Sequence, residues 1–454
     1  MEKNNKEWVN LSLDEDAFFR KYGRKKIVAT YTLGCKVNQY ETEAMQELFV
    51  ADGYEIVDHS EKADVYVINT CTVTATGDKK SRQFIRRAKR LNPDSLIAVV
   101  GCYSQISPDE VEAIEGVNLV LGTNNRKEIV NYIKALDGDG HLNKVEDIMA
   151  VNSFEEMKID AVKDKTRAFL KIQEGCNQYC TYCIIPYARG KVRSRELHNI
   201  VEEVERLAKN GFKEIVLTGI HLGSYGLDLE SESLIEAIEV TGAIKGIERI
   251  RVGSLEPRSI TDDFLRRVSA VKEFCPHFHL SLQSGSDGVL KRMKRRYTAD
   301  EYYKSVVKIR EVFPEASITT DIIVGFPLES DDEFEETLAF VQKINFHQIH
   351  VFKYSIREGT PAALMAQVNG KIKDNRSHRL IEKAEEMEQS FLESFIGKSV
   401  DVLFESYDNF ISVGHTKHYI NVKTSTGKDQ VGAIKTVNIT GVEGKKLLGT
   451  LENE

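Results

Sequence analysis

Gly175-Cys176-Asn177-Gln178-Tyr179-Cys180-Thr181-Tyr182-Cys183 puts three thiols in a C-x3-C-x2-C spacing inside one turn, with Tyr182 directly before the last. Three is an odd number for structural zinc, which closes its site with four ligands. A cubane iron–sulfur cluster held by three cysteines instead keeps one iron open to an outside ligand. Three thiols in eight residues are costly unless a metal binds them. The rival readings are a zinc or redox turn, or three buried apolar thiols.

Downstream of this turn, apolar runs alternate with amphipathic helical stretches. The runs are Phe169 to Gln173, Glu214 to Thr218, Glu248 to Val252, His279 to Leu282, Ile318 to Val324 and Ile349 to Tyr354. Six such units are too few for an eight-stranded barrel, so an open, partial barrel is predicted over 166–390, with its site at the strand exits. Exit candidates are Thr218, Gly219, Ser254, Glu256, Gln283, Ser284, Asp321 and Gly325.

Upstream, Ile27 to Thr32 leads to Cys35, Val65 to Asn69 to Cys71, and Leu96 to Val100 to Cys102. Strands alternating with helices predict a doubly wound parallel sheet over 25–137, in which the three cysteines converge beyond the carboxyl ends of their strands. Residues 1–24 read as an extension and 138–165 as an interdomain linker. Residues 371–396 read as one charged amphipathic helix. The chain from 391 on shows short strands punctuated by glycine, a pattern that predicts a small β-barrel.

At the 175–183 turn the chain resembles the radical S-adenosylmethionine (SAM) enzymes. TLGCKVNQYET, INTCTVT and VVGCYSQ narrow this to their methylthiotransferase branch, over about Lys25 to Glu452. The resemblance implies an α/β chain: a methylthiotransferase amino-terminal domain, a (βα)6 radical SAM barrel, and an OB-like TRAM tail that binds RNA. It implies two [4Fe-4S] clusters, one on Cys35, Cys71 and Cys102 and one on Cys176, Cys180 and Cys183. The latter set is catalytic: one electron from its cluster cleaves SAM to a 5'-deoxyadenosyl radical. Tyr182 and the turn at 324–327 would wall the adenine, Ser281 and Gln283 would meet the ribose, Glu256 would compensate positive charge, and Gly219 would admit the methionine end. Arg189, Arg193 and Arg195 are expected to hold a carboxylate or phosphate. TLGCKVNQYET looks like the branch that adds a methylthio group to threonylcarbamoyladenosine of tRNA. The isopentenyladenosine branch, a ribosomal-protein branch and a non-enzymatic metal-binding RNA module stand as alternatives.

The 454 residues carry a formal charge of -8, which argues against a general polyanion binder. Local patches run the other way. KKSRQFIRRAKR at 79–90 has seven basic residues and no acid, Lys291 to Arg296 form a second cluster, and the tail a third. Lys79, Arg82, Arg86 and Arg87, with His415, Lys417, His418 and Lys423, are the candidates for contact with a tRNA anticodon stem-loop. No apolar run approaches membrane-span length, no signal peptide is legible, and seven cysteines read as ligands. These features predict a cytoplasmic protein without membrane contact. The resemblance implies an electron donor such as flavodoxin or ferredoxin.

Overall fold

The computed structural model describes residues 9–136, 140–159 and 166–452. They form two compact units. The first comprises 9–136, 140–159, 173–179 and 183–195; the second comprises 166–172, 180–182 and 196–452.

The first unit is built on a six-stranded sheet: β1 (Lys26–Thr32), β2 (Tyr54–Val57), β3 (Val65–Thr70), β4 (Leu96–Gly101), β5 (Leu119–Val120) and β6 (Leu142–Asn143). Its order is β2-β1-β3-β4-β5-β6, with every pairing parallel. β3 and β4 are buried along their whole length. Their continuous apolar runs suit a parallel sheet covered on both faces. One face packs Phe18, Met45, Phe49, Val67 and Val100; the other packs Ile68, Ile85, Ile97, Val99 and Tyr103.

Two expectations change here. The extension contains a helix, α1 (Glu15–Tyr22), capped by Asp14, and its Phe18 is wholly buried in the sheet's core. Residues 1–8 lie outside the described residues. The segment read as a linker supplies β6, and Tyr40 in α2 (Lys36–Ala51) donates to Met157 O at 2.6 Å. Polar composition hid a short edge strand whose pairing is backbone to backbone. The last linker residues, 160–165, are outside the description.

In the second unit β7 (Arg167–Glu174) begins; its end lies in the first, where it pairs antiparallel with β8 (Arg193–Ser194). β9 (Glu214–Gly219), β10 (Arg249–Val252), β11 (His277–His279), β12 (Ser317–Val324) and β13 (Gln348–Lys353) follow, each separated by helix. β10 and β9 pair in parallel, with β7 next to β9, and β11-β12-β13 form a second parallel run, the two bridged at Ile250↔Phe274 and Leu255↔Leu280. β11 ends three residues earlier than the apolar run suggested, and beyond it Leu280 and Gln283 make only isolated bridges, to Leu255 and Ile322. Six long-range strands therefore make an open, partial barrel, as expected.

A helix over Gly370–Glu393 leads to a closed five-stranded barrel: β14 (Ser399–Asp408), β15 (Ile411–Thr416), β16 (Asn421–Ser425), β17 (Ile434–Glu443) and β18 (Lys446–Leu451). Val402, Phe404, Val422, Val437 and Leu447 fill it. Arg249 and Arg251, at the foot of β10, tie it to the partial barrel. Arg249 donates to His415 O at 2.7 Å and Asp401 O at 2.9 Å. Arg251 donates to Lys417 O at 3.0 Å, pairs with Glu214 at 3.0 Å, and lies over the Tyr419 ring.

Candidate active site

Three successive strand exits in the first unit end on thiols. Cys35 stands at the amino end of α2, Cys71 follows β3, and Cys102 opens a short helix after β4. Gly34 (φ +110°) makes this approach possible: a Cβ there would lie 2.9 Å from Cys71 Cβ. Burial raises the Cys71 thiol and pushes Cys102 up to about 12, although Arg189 pulls it back. Such thiols stay protonated unless a metal cation displaces the proton. Among the described residues, only His279, Asp321 and His350 draw three ligand atoms within 4.8 Å of one another. Val73 N donates to Cys71 Sγ at 3.5 Å and Arg189 Nε to Cys102 Sγ at 3.1 Å. Hydrogen bonds of this kind tune thiolate-bound clusters.

Arg189 overturns one sequence expectation. It is fully buried and serves no external anion: it pairs with Glu41 and, at 3.0 Å, with Glu174, and donates to Asn38 Oδ1 at 2.6 Å. Arg126 reinforces it from Glu41 and Glu155, the latter at 2.9 Å. Arg193 donates to Lys191 O and Arg189 O, and Arg195 pairs with Glu156 at 2.8 Å. Asn38 and Glu41 belong to TLGCKVNQYET, so that motif holds the buried cation as well as a cysteine. Arg126, Glu41 and Glu174 were missed because a single charged letter carries no sign of its burial.

In the 175–183 turn Cys176 and Cys180 are buried and Cys183 half-buried. Gly175 (φ +72°) is obligatory: a Cβ would stand 1.8 Å from Lys191 O. Cys176 N donates to Gly190 O at 3.0 Å and Gln178 N to Cys176 Sγ at 3.5 Å. In the second unit, Thr181 is clamped by bonds with Met293 O, Arg292 O and Ala362 N. Arg295 Nη1 donates to Cys180 Sγ at 3.4 Å. Tyr182 sits edge-on to Phe326 of the 324–327 turn, ring centres 6.4 Å apart.

The barrel's rim gathers Gly219, Ser254, Glu256, Ser281, Gln283 and Gly325 at strand ends. Glu256 already has partners: the Arg295 guanidinium at 2.6 Å and the His221 ring at 3.3 Å. Burial pushes its carboxyl up, but His221 and Arg295 prevail and hold it below the usual range. Arg295 Nε donates to Tyr297 OH at 3.0 Å, and Tyr297 donates to Ser281 O and Leu282 O. Gln283 (φ +68°) donates from N to Asp321 O at 2.9 Å. The Gly325 N–H is held by Glu329 Oε2 at 2.7 Å, itself paired with Arg376 at 2.6 Å. Asp321 departs from this group: it lies mid-strand in β12, its carboxylate 3.2 Å from His279 Nε2. Arg295, read as part of a basic surface patch, is 7% exposed, so one of the three patches is partly interior.

Of the RNA-contact candidates, Lys79, Arg86 and Arg87 are exposed on α3 (Ala75–Leu91). Arg82 pairs with Glu110 at 3.1 Å and donates to Tyr103 OH. Lys423 pairs with Glu443 at 2.8 Å. His415, Lys417 and His418 lie at the seam between the two barrels of the second unit. His415 meets Glu405 and stacks on Tyr419, Lys417 Nζ donates to Lys272 O at 2.9 Å, and His418 packs edge-on to Phe395. All three are half-buried there.

Residues 170–341 match the model of the radical SAM superfamily, and residues 27–122 that of the uncharacterized protein family UPF0004. The chain is 44% identical to the threonylcarbamoyladenosine tRNA methylthiotransferase MtaB of Bacillus subtilis, over 91% of this chain and 93% of that one. This chain belongs to the radical SAM methylthiotransferases. MtaB of Aquifex aeolicus is 41% identical over 91% of this chain and 100% of its own. The tRNA-2-methylthio-N(6)-dimethylallyladenosine synthase of Acetivibrio thermocellus is 35% identical over 95% and 92%. Among solved structures, the radical SAM methyltransferase TsrM of Kitasatospora setae superposes with a TM-score of 0.55 at 13% identity, covering 75% of this chain and 74% of that one. That likeness concerns the fold alone. As a family member the chain is an enzyme that uses SAM and a [4Fe-4S] cluster and carries a second such cluster. No helix among the described residues is long and apolar enough to cross a membrane.

Proposed function

We propose that this methylthiotransferase acts on tRNA, installing a methylthio group at carbon 2 of threonylcarbamoyladenosine beside the anticodon. The observation that carries this reading is near full-length identity of 44% and 41% to relatives named for that nucleoside, against 35% to one named for dimethylallyladenosine. When bound, the clusters and SAM supply a hydrogen-abstracting radical and a sulfur carrying a methyl group.

The chain's own residues divide the remaining work. Gly175 and the Thr181 clamp fix the cysteine turn, Arg295 joins Cys180 to Glu256 at the rim, and Tyr182 with Phe326 shields one side from water. Arg189 compensates negative charge beside Cys102. Electrons are expected from a small flavodoxin- or ferredoxin-type carrier in a reducing, cytoplasmic setting. The exposed bases of α3 and Lys423 contribute phosphate contacts.

Mass spectrometry of tRNA nucleosides from a strain lacking the gene tests the reading. The 2-methylthio form of threonylcarbamoyladenosine should vanish while the isopentenyl counterpart persists, and the reverse pattern overturns it. In reconstituted enzyme, Cys180→Ala abolishes SAM cleavage, whereas Cys71→Ala leaves cleavage and stops sulfur insertion. Equal loss of cleavage in both, with folding intact, refutes the division of labour.

A further inference from the structure

Three polar side chains meet on one face of the β11-β12-β13 sheet, below the rim. In the register His279 lies opposite Thr319, and Asp321 opposite His350. Alternation along strands puts all four on the same face. The other face is apolar; Phe278, one residue from His279, meets Phe313 at the end of the Ala299–Val312 helix. His279 is fixed on both sides: its Nδ1 shares a 3.0 Å hydrogen bond with Thr319 Oγ1 and its Nε2 faces Asp321 at 3.2 Å. The His350 ring lies parallel to it, centres 5.9 Å apart. β13 is the outer strand of this sheet, and on it His350 and, two residues on, Phe352 are exposed, the latter by 45%. A rigid polar set thus continues into an open edge carrying a flat aromatic ring.

We infer that His279, Asp321 and His350 form the subsite that recognises the polar side chain of the substrate nucleoside, selecting threonylcarbamoyladenosine over isopentenyladenosine. The inference rests on the function proposed above. A threonylcarbamoyl group offers ureido N–H and hydroxyl donors, which a carboxylate accepts, and a carboxylate of its own, which imidazole N–H groups can meet. An isopentenyl group offers no polar atom. Bound here it would strip water from Asp321 and His350 and return no hydrogen bond, and sites built on such pairing reject the lacking analogue strongly. Phe352 suits stacking with a neighbouring base. The same three ligand atoms are close enough for one divalent ion, which makes metal binding the competing use.

The test is binding of anticodon hairpins to the cluster-loaded enzyme by fluorescence anisotropy, the hairpins differing only in threonylcarbamoyladenosine, isopentenyladenosine or adenosine. The wild type should prefer the first over the second by at least about tenfold, roughly the effect of one charge-assisted hydrogen bond. His350→Leu and Asp321→Asn should each bring that ratio within about threefold, and His350→Gln should restore part of it. Iron content and melting temperature serve as the check on folding. An unchanged ratio in both His350→Leu and Asp321→Asn overturns the inference. So does one equivalent of zinc, bound through nitrogen and oxygen only by X-ray absorption and lost on the same substitutions. If the wild type methylthiolates the threonylcarbamoyl hairpin while the variants keep its selectivity, this inference fails alone. If it methylthiolates only the isopentenyl hairpin, the proposed function fails and takes the inference with it.

Discussion

Arg189 is a buried cation shared by Glu41 and Glu174, with Cys102 Sγ beside its Nε. Replacing it by methionine keeps much of the volume but leaves Glu41 and Glu174 to Arg126, which stands 3.8 Å from Glu174. Breaking such a network from one side costs about 3–5 kcal/mol. Arg189→Met should lower the melting temperature clearly and reduce iron retained by the first unit; unchanged melting would mean that the carboxylates find other partners. Gly175 offers a sharper case, since any Cβ would overlap Lys191 O at 1.8 Å. Gly175→Ala should displace the turn and cut iron from about eight to about four atoms per chain. The amino-terminal cluster, in the other thiol set, should survive. A residual four-iron signal still able to cleave SAM would contradict this.

Two histidines mark the seam where the Gly370–Glu393 helix and the C-terminal barrel meet the partial barrel. His347 is buried against Phe391 and bonded to Ser317 Oγ at 2.6 Å; His418 packs against Phe395. Burial lowers His347 to about 3 and His418 to about 4. The folded state therefore resists protonation that the unfolded chain accepts near 6.5. Stability is retained above that pH. It declines as pH falls from about 6.5 towards 4 for His418, and on towards 3 for His347, by up to about 1.4 kcal/mol per pH unit for each. Melting temperature measured from pH 7 to 4.5 should fall less steeply in His418→Phe than in the wild type; parallel curves would show that other groups govern the acid loss. This seam also marks what sequence could reveal about elements. Period and spacing exposed the strand-to-cysteine exits, the six-unit barrel and the five short strands, because those signals are local. They did not expose that His415, Lys417 and His418 sit half-buried at this seam, since a polar letter on a half-exposed strand reads the same whether solvent or another element lies beside it. α1 and β6 were overlooked for a related reason: one is held by a single buried Phe18, the other by two residues of backbone pairing.

Over the whole molecule, a chain of net charge -8 must engage a polyanion through restricted patches, and α3 carries one exposed basic patch, beside Lys291, Lys294 and Arg296 of another. Phosphate binding and recognition of the nucleoside side chain then predict different signatures. Neutralising Arg86 and Arg87 together by alanine removes charge without touching a base, so affinity for threonylcarbamoyl, isopentenyl and unmodified hairpins should weaken in parallel. Removing one Arg–phosphate pair should flatten the dependence of log K on log salt by about 0.7 to 0.9, and removing both by about 1.5. Substitutions at His350 should alter the ratio among hairpins and leave that slope in place. Titrations of all three hairpins from low to moderate salt separate the two effects. If the double alanine variant keeps the wild-type slope, α3 binds no phosphate, and its charge is the solvated face of a helix.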